Sequence, residues 1–146
     1  MTISRNLLCT LYALAGLVAL VGTWGNNLQY SHLGMMEMNV RFWQETLANP
    51  ASRSITVDIL FVGLAAIIWM FLEARRLSMR GVWFWVLFGL FVAMGAAFPW
   101  FLVHRERVLA IRDGSTSAGT LSAGAIAAVA VLGLAIVVYT FFALIR

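Results

Sequence analysis

Apolar positions in this chain gather into four long runs separated by polar stretches, and these runs dominate the reading of the sequence. The first covers about residues 6–24, roughly the 20 residues that cross a ~30 Å hydrocarbon layer as a helix. Within it Ala15, Ala19 and Gly22 recur at i, i+4 and i+7, a small-residue strip along which another helix can approach closely. Trp24 falls where the far interface belongs. The second and third runs, about 56–73 and 82–103, are joined by the short basic turn Ala74-Arg75-Arg76-Leu77-Ser78-Met79-Arg80 and predict a transmembrane helical hairpin. Gly89, Ala93 and Ala96 give the third run a small face toward the second, and Pro99 predicts a kink in its last turns. The fourth run, about 121–145, is rich in Ala and Gly at first. Gly124 and Ala128 mark that first half as the half expected to pack.

Between the first two runs the pattern changes period. Met36, Val40, Trp43 and Leu47 recur at i, i+4, i+7 and i+11, while Glu37, Arg41 and Glu45 recur at i+4 on another face, where they can pair. This predicts an amphipathic helix over about 35–48 lying on the membrane surface, stopped by Asn49-Pro50. Residues 108–120 read as a polar, turn-rich connection.

Composition fixes the class. The chain is 62% hydrophobic and 11% charged, where globular domains carry roughly 25% charged residues. The fold class is therefore an all-α integral membrane protein: four transmembrane helices plus the interfacial helix, in one transmembrane domain over 1–146. Every Lys/Arg position is Arg, and the net charge of +4 is spread over loops and helix ends, where guanidiniums meet lipid phosphates. The basic balance is thus no argument for a nucleic-acid partner. A single Cys9 excludes an intramolecular disulfide. Arg5 and the run after it have the order of a secretory signal, but the run is too long and no small-x-small site follows, so the first helix is expected to be retained. Four spans place both termini beside the 74–80 turn. Arginines divide equally between the two sides, and the density of the turn favours cytoplasmic termini.

Ionisable residues sit almost wholly at the ends of the runs. Counting back from the turn at ~1.5 Å per residue sets Asp58 near the level of residue 98, which makes Asp58 with Arg105 or Arg107 the candidate interhelical ion pair. At the opposite end Glu73 is within reach of Arg76 and Arg80. These charges read first as structural clamps. The sharper reading is a ligand or proton site between Asp58, Trp100 and Arg105. His32, Met35, Met36 and Met38 are soft ligands of the kind Cu(I) accepts, but no cysteine joins them and Gly34 interrupts the turn, so interfacial packing is preferred and no metal is expected. Neither His32 nor His104 lies near a bilayer centre to hold a haem. The sequence offers no phosphate loop, no serine nucleophile arrangement, and neither midmembrane acids nor the broken helices of an ion-coupled carrier.

The string Ala48-Asn49-Pro50-Ala51-Ser52, then Asp58, Glu73-Ala74-Arg75-Arg76, Phe98-Pro99-Trp100-Phe101-Leu102 and Arg105-Glu106 resembles the bacterial membrane family known as domain of unknown function 2834. The resemblance covers about residues 5–110 as a three-helix core, with 119–146 as an added fourth helix, and departs at Trp100, where the family pattern has leucine. It implies a multi-pass protein of a bacterial inner membrane and transfers no activity. Two functions stay open. One is a non-catalytic accessory subunit of a respiratory or photosynthetic type of complex, acting by helix packing and by lipid or pigment contact, with a membrane-protein partner or a second copy beside it. The other is a small membrane enzyme or binder for an isoprenoid- or carotenoid-like substrate, with Asp58 or Glu73 as the acid and Trp69 and Trp100 lining the cavity. No cofactor is required by either, and a bound lipid or carotenoid is compatible with both.

Overall fold

The computed structural model describes residues 2–145, and the chain is an all-α membrane protein with one small β-ribbon. Strand β1 (Thr2–Ser4) leads into α1 (Arg5–Asn27), whose first turn is capped by the Ser4 hydroxyl accepting from the Leu7 amide. A 3-10 turn, Leu28–Tyr30, follows, then α2 (Met35–Thr46) and α3 (Pro50–Arg76). The Asn49-Pro50 pair starts α3 instead of merely stopping α2. Asn49 and Ser52 form a reciprocal capping box, and Pro50 occupies the first turn, where its missing amide costs nothing. Next come α4 (Val82–Phe88), a π-helical segment (Gly89–Ala93), α5 (Met94–Asp113), β2 (Ser117–Thr120) and α6 (Ala123–Leu144). Four helical stretches are long and apolar enough to cross a membrane: residues 5–30, 50–76, 82–113 and 123–144.

The third of these stretches does not run straight. At Ala93 the backbone leaves the helix for an extended conformation (φ −168°, ψ 117°), and α5 returns alongside α4. Trp85 Nε1 donates to His104 Nδ1 at 3.2 Å, and the Phe88 and Trp100 rings lie 5.7 Å apart. In one continuous helix those pairs would be separated by about 28 and 18 Å. The expected single span over 82–103 is thus a folded-back helical hairpin. The break lies at Ala93 and not at Pro99, which stays inside α5. Small residues make the fold-back possible. Gly89, Ala93, Ala96 and Ala97 are all buried, and a methyl on Gly89 would meet Met94 Cε at 2.8 Å and Ala97 Cβ at 3.3 Å. The strip expected to face α3 instead lets the two halves of the hairpin touch.

The reversal reassigns the ends of the molecule. Arg105 returns to the level of Glu73 instead of advancing to Asp58. The hairpin tip reaches only the level of Gly63, where Met94 Cγ lies 3.9 Å from the position of an added methyl. Along α1, Gly16 accommodates the Trp100 indole, at 2.6 Å from a would-be methyl, and Ala19 Cβ lies 3.3 Å from where a methyl on Gly95 would be. At the tip, Trp24 Nε1 donates to the Val92 carbonyl at 3.2 Å, satisfying a backbone acceptor left by the break. The core lies lower, between α3 and the hairpin, where Met70, Ala74, Val86 and Phe101 are buried together.

Helix α6 packs on α1 and runs parallel to it. Thr140 packs on Gly22 and Leu144 on Gly25, while β1 pairs antiparallel with β2 at the other end. Residues 117–120, expected as loop, are therefore half of a ribbon. The described termini stand at opposite ends of the bundle, which corrects the expectation of both on one side. The packing half of α6 is also its second half; nothing lies within 4 Å of a methyl on Gly124. With Cys9 replaced by Ala, a Gly89→Cys/Ala97→Cys pair, whose Cβ positions lie 3.3 Å apart, should form an intramolecular disulfide in membranes. A continuous helix would hold the two positions about 12 Å apart and give none.

Candidate functional site

Six charged side chains form one connected chain at the end of the bundle where α3 and α5 meet. Glu73, in the last turn of α3, accepts from Arg76 through both oxygens (Nε to Oε2 2.7 Å, Nη2 to Oε1 2.6 Å). Its Oε1 also accepts from Arg105 Nε at 2.6 Å. Arg105 Nη1 donates to Glu106 Oε1, and Glu106 Oε2 accepts from Arg5 Nη1 at 2.9 Å. Arg5 completes the chain by donating to Asp113 Oδ2 at 3.2 Å and to the Ser115 carbonyl at 2.8 Å. Three guanidiniums and three carboxylates thus alternate across α1, α3 and α5.

Burial makes this more than a surface feature. Glu106 is 4% exposed and Glu73 7%, with Arg5 at 9%, yet among the described residues no buried side-chain nitrogen or oxygen lacks a partner. Charges taken out of water are stable only when paired and hydrogen-bonded throughout. Above the chain, Trp69 stacks edge-on to Phe98 and Phe101 and carries the Arg105 guanidinium 5.8 Å from its ring. Such a cation over an indole face gains about 0.5–2 kcal/mol.

The other candidates are placed as follows. Asp58 is exposed on α3 and has no ion pair among the described residues; the expected pair with Arg105 or Arg107 is absent because the fold-back returns both arginines to the Glu73 end. Arg107 and Arg80 are exposed, and Arg80 does not join Glu73. Trp100 sits against α1, donating Nε1 to the Ala13 carbonyl at 3.2 Å, far along the chain from Asp58. His32 takes its hydrogen bond at the Gln29 carbonyl, while Met35 and Met36 are exposed at the start of α2 and Met38 is half-buried. Among the described residues no three His, Cys, Asp or Glu side chains are grouped to hold a metal. The sequence reading missed Arg5, Glu106 and Asp113 as participants. A carboxylate flanked by two arginines at the end of an apolar run, Arg105-Glu106-Arg107, was the available signal.

Residues 11–107 match the model of a family described as protein of unknown function DUF2834. The chain belongs to that family. The DUF2834 match takes in the folded-back hairpin and the Glu73, Arg76, Arg105 and Glu106 part of the ion chain, while Arg5, Asp113 and α6 lie outside it. Neither a curated protein nor a solved structure matches.

At the opposite end of the bundle a smaller clasp holds α2. Glu45 accepts from the Tyr30 hydroxyl at 2.5 Å and from Arg41 Nε at 2.9 Å. The Tyr30 hydroxyl chiefly, with Arg41, holds the Glu45 carboxyl below its ordinary value against a smaller opposing desolvation. A carboxyl whose folded value is depressed stabilises the fold above its unfolded value and loses that contribution as pH falls through the depressed one.

Glu106→Gln leaves Arg5 and Arg105 without their shared counter-charge and should cost about 3–5 kcal/mol in a detergent unfolding titration, while Arg41→Ala, on an exposed pair, should leave the midpoint unchanged. A nitroxide on Gln44→Cys, with Cys9 replaced by Ala, should stay immobile down through the usual carboxylate range and gain mobility only below it. Tyr30→Phe should move that onset to higher pH.

Proposed function

We propose that this DUF2834 protein is a non-catalytic accessory subunit of a larger membrane assembly, with the Glu73 end of the bundle in the cytoplasm. The observation that carries the subunit reading is Asp58. It is an exposed carboxylate on a spanning helix, flanked by the exposed Ile55, Ile59 and Val62, and no cation of the described chain pairs with it. A charge in a membrane helix costs up to about 2.5–3.5 kcal/mol at the bilayer centre and less near an end. A neighbouring helix that brings a basic or donor side chain offsets that cost. Helix α6 supports the same reading: it buries no residue of its own within the chain.

The enzyme reading draws less support. Both oxygens of Glu73 already accept from guanidiniums, and the aromatics invoked as cavity walls are occupied elsewhere, Trp69 on Phe98 and Phe101 and Trp100 on α1.

The fold-back supports that orientation. It gathers Arg5, Arg75, Arg76, Arg80, Arg105, Arg107 and Arg112 at one end, against Arg41 and Arg53 at the other; Arg146 is outside the described residues. The equal division expected for four straight spans becomes strongly one-sided, and the basic end is the cytoplasmic one by the positive-inside rule.

A photo-crosslinker at Val62 in the native membrane should capture a stoichiometric membrane protein, and Asp58→Asn should weaken that capture several-fold. A chain that purifies alone in mild detergent and gives identical products with and without Asp58 would refute the subunit reading. For orientation, a fluorescent protein that folds only in the cytoplasm should glow when fused before Met1 and stay dark when fused after Arg146.

A further inference from the structure

The hairpin tip stops level with Gly63, so the first half of α3, from Pro50 to Val62, extends about 20 Å beyond it with no hairpin between it and α1. There α1 and α3 hardly meet. Apolar side chains on this half of α3 and at the tip are uncovered: Ile55 and Ile59 are 58% exposed, and Leu90 and Phe91 are exposed. Over the outer mouth of this slot lies α2, and under α2 is a cleft of about 330 Å³ bordered by the ends of α1, α2 and α3. A second cleft of about 470 Å³ shares Gln29, Tyr30 and Glu45 with it and continues outward along α2.

The polar chemistry of the inner cleft is uniform. Asn27, Gln29 and Thr56 offer amides and a hydroxyl that both donate and accept, while the side chains of Asn26, Thr46 and Ser52 already donate to the Gly22, Trp43 and Asn49 carbonyls and present chiefly acceptor oxygens. Its carboxylate, Glu45, is engaged by Tyr30 and Arg41, and Arg41 is the guanidinium of the adjoining cleft. No unpaired cation among the lining residues is thus available to a phosphate, whereas a headgroup of hydroxyls finds both partners it needs. Phe42 and Ile55 form the apolar part of the cleft's lining.

We propose that this cleft and slot bind one membrane lipid with a neutral, hydroxyl-bearing headgroup: the head beneath α2 among the amides and hydroxyls, the chains in the slot between α1 and α3 above the hairpin tip. Asp58, on which the subunit reading rests, lies on the same half of α3, but lipid retention by the isolated chain needs no second protein and is read separately from capture at Val62.

The test uses the full chain in nanodiscs of phosphatidylcholine containing equal minor fractions of monoglucosyl diacylglycerol and phosphatidylglycerol, with lipids retained on ejection identified by native mass spectrometry. One glucolipid should be retained per chain, in about tenfold preference over phosphatidylglycerol. Asn27→Leu and Thr56→Leu should each remove that preference while the Gly89→Cys/Ala97→Cys disulfide still forms, which reports the fold independently. Equal retention of the two lipids, a preference for phosphatidylglycerol, or a preference untouched by both folded variants would overturn the proposal.

Discussion

Glu106 stands between Arg5 and Arg105, and most of the architecture depends on that carboxylate having both partners. Arg5 opens α1, Arg105 reaches on to Glu73 at the end of α3, and Glu106 is itself part of α5. One buried anion therefore ties three elements that are distant in sequence. An ion pair of this kind adds little net stability compared with a well-packed apolar replacement, because desolvation consumes much of the attraction. Its contribution is to selection among arrangements. Any packing that separates these helix ends leaves a buried charge alone, and that penalty falls on the wrong folds and not on the right one.

The fold-back at Ala93 is what allows the ion chain to close. A straight third span would carry Arg105 across the membrane and leave Glu73 with Arg76 alone. Reversal inside an apolar layer is costly unless the exposed backbone groups find partners, and irregular backbone at that depth is tolerated only where protein covers it. Here Trp24 supplies a donor to the Val92 carbonyl, and Gly89, Ala96 and Ala97 let the two arms approach closely enough to shield one another. The Trp85 to His104 hydrogen bond closes the open end of the same hairpin. The ion chain below and the tip contacts above thus hold the reversal from both ends.

Much of this was legible from hydrophobic patterning, since the four apolar stretches and the surface helix are recorded in composition and period. The reversal was not. Residues 82–103 are as long and apolar as a straight span, and a pair of half-length helices folded together has the same composition. The small residues Gly89, Ala93 and Ala96 were visible, but smallness reports close approach without naming the neighbour. A straight span puts Arg105 beside Asp58, divides the arginines evenly and sets both termini on one side, so that one ambiguity carries the other three. Glu73 with Arg76 needed only helical spacing and so could be read locally, whereas Arg5 with Glu106 bridges most of the chain and has no local signature. Pro99 drew attention to the wrong place, because proline removes one bond within a helix while the true break required only a run of small residues at which the chain could turn.

The depth of the hairpin links the two ends of the molecule. Because its tip reaches Gly63 and no farther, every strong ionic contact of α3 is confined to its final turn, and its first half is left between lipid and the clasp of α2. The Glu73 end is consequently rigid and charged, bound by side chains that cannot separate without exposing an ion. The Tyr30–Glu45 end is held by one exposed hydrogen-bonded carboxylate and a capping box. A bundle built this way opens, if it opens, at the α2 end first, since that end has the fewest buried contacts to lose. The exposed Asp58, the polar cleft and the apolar slot all lie in that same weakly held half, and it is there that a ligand or neighbour gains most by binding.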